Sequence, residues 1–425
     1  MLSSLFTGIS GLNAHQTALG VVGDNIANVN TIGFKASRSS FEDILSQSLS
    51  GGSNMQIGRG VKLGSVTAQF NQGSFQSTSS VTDLAIDGDG FFLLSDNNGK
   101  FYTRAGEFNF DSEGNLANSN GGKVQGYMME SNGQISGTLS DINIASVSSS
   151  PTQSSKIDIS ANLDSRDSVP VAFSASDPAG TSNFSSSMTV YDSLGNPHAV
   201  RIYFRKDDSN SWEWHAMVDG GEITGGTSGV LEEQANGTIG FNSAGALDTE
   251  TVTASSFNFT GGASQAQAID FDFGTSITTD GGTGLDGTTQ FGSTSATLFQ
   301  KQDGSASGTL KSIGIDQDGV ISGLFTNGTN KGLFRIAIAN FKNPQGLSKS
   351  GKSMFSESKN SGLPNVGIPN TASFGKITSN SLEMSNVDLS SEFVRMITMQ
   401  RGFQANSRII TTSDEILQEL MNLKR

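Results

Sequence analysis

Several stretches of this 425-residue chain carry residue types that could do chemistry. Gly346-Leu347-Ser348-Lys349-Ser350-Gly351-Lys352-Ser353 has the spacing of a phosphate-binding loop and follows a strand-like run. That chemistry needs a helix opening behind Lys352, with its amide groups facing the phosphates. Gly362 and Pro364 follow instead and no apolar period develops, so a turn is expected. Gly281-Gly282-Thr283-Gly284-Leu285-Asp286 resembles one calcium-binding nonapeptide. Such repeats hold metal only when stacked, and this one stands alone. Asp87-Gly88-Asp89-Gly90 lacks the distal glutamate of a calcium loop and reads as a tight turn between strands. The three histidines, His15, His198 and His215, have no partner at metal-ligand spacing. The sequence therefore points to no catalytic residue, no metal ligand and no cofactor.

Regular spacing is found instead among apolar residues at the two ends of the chain. Leu5, Leu12, Leu19 and Ile26 fall seven apart, and Val22 and Val29 sit three residues after the last two. Met396, Phe403, Ile410 and Leu417 repeat the interval, widened by Phe393, Leu420 and Met421. A seven-residue interval keeps one seam facing a partner helix. Neither helix can bury its stripe alone. Gly8, Gly11, Gly20 and Gly23 each lower intrinsic helicity by roughly 1 kcal/mol against alanine, so the first helix should be marginal until packed. The expected arrangement is a coiled-coil arm pairing residues 1–29 with 385–425, everything else being inserted between them. Ser385, Asn386 or Asp388 could cap the second helix.

Composition describes the insert. Only 34% of residues are hydrophobic and 16% charged, while glycine reaches 52. Short strands and tight turns suit that mix better than large helical cores. The 27 phenylalanines are enough to build cores, so this is not a disordered chain. With no cysteine there is neither a disulfide framework nor a thiolate metal site. No stretch approaches the ~18 apolar residues of a membrane span. The first basic residue is Lys35, so neither membrane insertion nor a cleaved signal peptide is expected.

Taken in order, Ala27 to Lys35 breaks the first helix, and 37–75 reads as polar connector with apolar pieces at Phe41, Ile44, Leu45 and Leu49. Strand signals begin at Asp83 to Leu94, turn at Asn98-Gly99, and run as a meander to Tyr127. They return after Gly308, where Leu333 to Ala339 reads as one buried strand. Between them, residues 146–307 hold 19 acidic against 6 basic residues, nearly all of the chain's net charge of −14. An acidic, Thr- and Gly-rich β insert reads as a solvated outer domain, and it argues against nucleic-acid binding, which wants a basic face.

Three blocks of residues now resemble one family, the bacterial flagellar rod and hook proteins. Asn28-Val29-Asn30-Thr31-Ile32-Gly33-Phe34-Lys35 is similar to that family's N-terminal signature. Thr82 to Arg104, with Tyr102-Thr103-Arg104-Ala105-Gly106, looks like its shared β domain. Val387 to Ser390, Gln400-Arg401, Ala405-Asn406-Ser407-Arg408 and Asp414-Glu415 look like its C-terminal helix. Val190 to His198 resembles the outer domain of the longer, hook-type members. The resemblance implies a non-enzymatic subunit polymerising with itself into a hollow, flexible joint that transmits torque. It also implies an extracellular place on the flagellum, and export through the flagellar secretion apparatus. Implied partners are rod proteins, hook–filament junction proteins and the hook cap. The corresponding layers would be the paired helices, a connector of 30–75 and 376–384, an inner β domain of 76–145 and 308–375, and an outer domain of 146–307. A distal rod subunit, or a secreted binding protein outside the flagellum, is the alternative.

Overall fold

The computed structural model describes residues 2–44, 47–48, 56–97, 99–130 and 133–422. Leu45, Leu49 and Asn98 lie outside those residues, and so does the side chain of Leu420. The architecture is mainly β with a helix near each end: α1 spans Leu2–Ala27 and α2 spans Leu389–Asn422. No described helix is long and apolar enough to cross a membrane. The chain divides into two compact units. The first comprises residues 1–146, 312–323 and 330–425, and the second 147–311 and 324–329.

The first unit contains a phenylalanine-rich sheet. Phe91–Asp96 pairs antiparallel with Gly99–Thr103 and with Lys123–Met129. Phe91, Leu93, Tyr102, Phe341 and Phe355 form its core, with Phe70 packed against them. Their rings meet edge to face, Tyr102 and Phe341 at 4.8 Å and Phe70 and Phe91 at 5.3 Å, the arrangement that ring quadrupoles favour. The run Leu333 to Ala339 is not one strand. It breaks at Ala337 into Asn330–Ile336, paired with Lys123–Met129, and Ile338–Asn340, paired with Phe91–Asp96. An apolar run shows that a segment is buried, but not that it changes partner midway. The stretch expected to be plain connector also holds structure: Ser37–Asp43 and Val61–Ala68 form an antiparallel ribbon with an irregular register after Ser40.

The second unit is a five-stranded antiparallel meander, Phe184–Tyr191, Pro197–Asp208, Ser211–Asp219, Leu231–Phe241 and Leu247–Ser255 in that order. A smaller sheet accompanies it, in which Lys156–Asn162 lies between Asp270–Asp272, parallel, and Ala296–Gln302, antiparallel. Trp212, Trp214, Phe204, Phe257, Phe259 and Phe273 are buried in one core. Trp212 satisfies its indole N–H by donating to Gln290 Oε1 at 2.8 Å.

One five-residue turn recurs through both units. Asp111, Asp192, Asn242 and Asp316 each accept, through Oδ1, the amide hydrogens of the residues two and four positions on. The residue three positions on is always glycine, with φ between 73° and 82° at Gly114, Gly195, Gly245 and Gly319. Left-handed backbone there would strain any other residue, which is why glycine recurs at that position.

Candidate assembly interface

α1 and α2 lie against each other with opposite chain directions. A Cβ on Gly8 would sit 3.2 Å from Ile410 Cγ1, and one on Gly11 would collide with the Asn406 amide at 2.6 Å. Further along, the His15 ring occupies the space that a side chain at Gly402 would need, and His15 Nδ1 is 3.4 Å from Met399 Sδ. Asn25 Nδ2 faces Glu392 Oε2 at 3.3 Å. The fully buried face of α1 is therefore made of Gly8, Gly11, Ala14, Ala18, Val22 and Asn25. Small residues let the two backbones approach closely, and this is why glycine is tolerated in a helix it weakens. On α2, Glu392, Met396, Met399, Phe403, Asn406, Ile410, Ser413 and Leu417 follow at alternating steps of four and three and are buried or half-buried.

The large residues picked out by spacing are placed differently. Leu5, Leu12, Leu19, Ile26 and Val29 are half-buried, one position off the small-residue face. Phe393 and Met421 remain 50% and 72% exposed. Leu389, Val394, Ile397, Ile409 and Ile416 are exposed as well, so α2 shows water a broad apolar surface. The buried face had a signal in the sequence, since Gly11, Ala18 and Asn25 also fall seven apart. A search for large apolar residues passes over it.

Where the helices join the β structure, the family signature builds a buried polar node. Asn28 accepts from the Thr31 hydroxyl at 3.0 Å and donates to the Asp24 carbonyl at 2.9 Å, closing the end of α1; Asn30 is exposed. Gly33 turns the chain at φ 65°, where a Cβ would lie 2.3 Å from Ala105 N, and its N–H donates to the Glu383 carbonyl at 2.7 Å. Phe34 lies beneath the Lys349 ammonium, 5.2 Å away. Lys35 Nζ reaches Glu383 Oε1 at 2.6 Å, and both side chains are fully buried. Gly73 N–H donates to the same oxygen at 2.9 Å, while Arg104 Nη1 meets Glu383 Oε2 at 3.3 Å. Burial pushes the pKa of Lys35 and of Arg104 down, and the Glu383 carboxylate pulls both back toward the charged form. Asn386 completes the node by accepting from Ala36 N–H and donating to the Gln69 and Asn71 carbonyls. Asp388 is left to cap α2, its Oδ1 accepting from Ser391 N–H at 2.9 Å.

Of the C-terminal motif residues, Asn406 lies on the seam and donates to the Gly402 carbonyl at 2.8 Å. Arg401 and Arg408 point into solvent. Spacing does not single out Glu383 or Arg104, because a lone charge carries no period. The phosphate-loop lookalike is a hairpin, Ser348–Gly351 against Met354–Ser356, with a strand where a helix would have to open. His198 stands between Glu222 and Asp192 at 2.9 and 3.3 Å and stacks on Phe259. Among the described residues no cluster of three or more His, Cys, Asp or Glu side chains is arranged to hold a metal ion.

Four family profiles fit the chain in order. They are flagella basal body rod protein over 5–35, flagellar hook protein FlgE/F/G D1 domain over 85–162, flagellar basal body protein FlaE D2 domain over 162–305, and flagellar basal body rod FlgEFG protein C-terminal over 378–423. That series defines the rod-and-hook class of flagellar proteins. Within it, the chain is 38% identical to flagellar hook protein FlgE of Borreliella burgdorferi, each chain being covered completely. It is 36% identical to that of Treponema pallidum over the whole of both chains, and 35% identical to that of Escherichia coli over 98% of each. The chain belongs to the flagellar hook protein family. A crystal structure of Helicobacter pylori flagellar hook protein FlgE2 aligns with 73% of this chain and all of its own, at 16% identity and a TM-score of 0.49.

Proposed function

We infer that the chain is the structural subunit of the flagellar hook, assembling with itself into the hollow, flexible tube that joins rod to filament and passes on motor torque. The carrying observation is end-to-end relatedness to proteins named flagellar hook protein, at up to 38% identity. A subunit of this kind has no need of an active site, and its working surfaces are those that meet other copies. The exposed apolar residues of α2 support that reading, because a stripe of this size is stable in water only when a neighbour covers it.

In this reading the paired termini form a coiled-coil inner layer around a channel. The connector and inner β domain surround it, and the acidic domain of 146–307 faces outward, outside the cell. The subunit leaves through the flagellar export apparatus under the hook cap, and contacts rod and hook–filament junction proteins at the two ends of the polymer. Leu5, Leu12, Leu19, Val22, Ile26 and Val29 with Phe393, Met396, Phe403, Ile410, Leu417 and Met421 supply the polymerisation seams, within a subunit or across to the next.

Electron microscopy of the assembled chain tests this. Wild-type protein should form curved, bendable tubes, and Leu19→Asp or Ile410→Asp should abolish them while the second unit melts unchanged. A straight, rigid polymer would point to a distal rod subunit instead. Tubes of normal stability from either variant would remove the seams from the account.

A further inference from the structure

Gly8 and Gly11 are explained by the close approach of α2, but Gly20 is not: a Cβ there would meet no atom within 4 Å. A glycine inside a helix costs about 1 kcal/mol against alanine, and Gly20 is exposed on the wall of an open space. That space is a groove along α1. Two adjoining cavities of about 310 and 600 Å³ share Asp24 and Lys349 in their walls. Gly20, Val21, Val66 and Leu347 line the larger, and Phe34 and Lys352 the smaller.

The hairpin on the far wall is built at a cost. Lys352 and Ser353 at its tip both have φ in the left-handed region, 55° and 57°. A two-residue turn of this kind ordinarily takes Asn-Gly, and strain held by other residues marks a place where the side chains matter. Lys349 and Lys352 are both exposed, and Lys349 Nζ lies 2.7 Å from Ser37 Oγ. Asp24 is the one acid on the lining.

We propose that this groove seats the last turns of α2 from a second copy of the chain, with Lys349 and Lys352 pairing against Glu415 and Glu419. Residues 409–422 contain three acids, Asp414, Glu415 and Glu419, and no base, and Lys424 and Arg425 follow them. Glu415 and Glu419 are one helical turn apart and exposed, beside Ile416 and Met421 at 50% and 72% exposure. The exposed Glu415–Glu419 turn, with Ile416 and Met421 beside it, thus matches a lysine-flanked groove of mixed apolar and polar lining. The chain's own α2 cannot fill it. Ile410 abuts Gly8, and Gly20 lies twelve residues up α1, roughly 18 Å away at 1.5 Å per residue, in the direction opposite to Glu415.

The contact rests on the hook-subunit reading and specifies one junction within it. Lys352→Glu should raise the protein concentration needed for assembly about tenfold with the circular dichroism unchanged, and adding Glu415→Lys and Glu419→Lys should restore it. The chain has no cysteine, so Lys352→Cys combined with Glu415→Cys or with Glu419→Cys should give a ladder of covalent multimers on oxidising sedimented polymer. Each single cysteine variant should give none. Unchanged assembly of Lys352→Glu, or polymer in which neither cysteine pair gives a ladder, overturns the contact and leaves the hook-subunit reading standing. Wild-type protein that forms no polymer sinks that reading and the contact together.

Discussion

At the scale of single residues, Glu383 holds the most consequential position. Its carboxylate is the counter-ion of two buried cations, Lys35 and Arg104, and accepts from the Gly73 amide as well. Removing one partner of a buried ion pair leaves uncompensated charge, which costs about 3–5 kcal/mol. Glu383→Ala should therefore destabilise the first unit by that order in urea titration, and adding Lys35→Met should recover part of the loss. Glu250 makes the complementary case in the second unit. Burial, helped by the carboxylates of Asp272, Asp280 and Asp270, raises its pKa to about 7 despite a hydrogen bond from Phe273 N–H. Below the ordinary value the folded and unfolded chains are both protonated. Between there and about 7 the folded state keeps a proton that the unfolded chain has lost, so stability falls as pH rises through that window. The carboxyl is only half-buried and partly screened, which limits the effect to roughly 1 kcal/mol. The melting temperature of the second unit should drop between pH 5 and 7, a range bracketed by these pKa values, and Glu250→Gln should flatten the slope.

At the scale of elements, the glycines of α1 divide by what faces them. Gly11→Leu would drive a large side chain into the Asn406 amide and force the helices apart, at about 1–3 kcal/mol for overpacking. Gly23 has no atom within 4 Å of a built Cβ, so Gly23→Ala should only strengthen the helix, by up to about 1 kcal/mol. Amide hydrogen exchange across α1 and α2 should report the two changes with opposite sign. Equal protection in both variants would mean that the helices do not depend on the small-residue face.

For the whole molecule, the insertion of one unit into the other is testable by deletion. Ser149 and Gly308 are cross-strand partners, so the two ends of the intervening segment are neighbours and a short turn can close the gap. Removal of residues 150–307 should leave a folded first unit with a β-type circular dichroism spectrum and a cooperative melt. Loss of the melt would show that the first unit depends on the second for its core.

The local features of this protein were legible in its residues because each depends only on near neighbours in the chain. Two amphipathic ends, tight turns such as Asn98-Gly99, a charge imbalance confined to 146–307, and a family resemblance carried by short blocks all lie within short windows of sequence. Seven-residue spacing placed a helix at each end, but the face that meets the partner is decided by which side chains are small enough for backbones to approach. Hence the Gly8–Asn25 line is buried while the leucines beside it are half-buried. The break of Leu333 to Ala339 at Ala337, the ribbon at 37–68, and the convergence of Lys35, Arg104 and Glu383 each join residues tens to hundreds of positions apart. No period or propensity encodes such meetings. They follow from burial, because a charge taken out of water must find its counter-charge wherever the fold brings one.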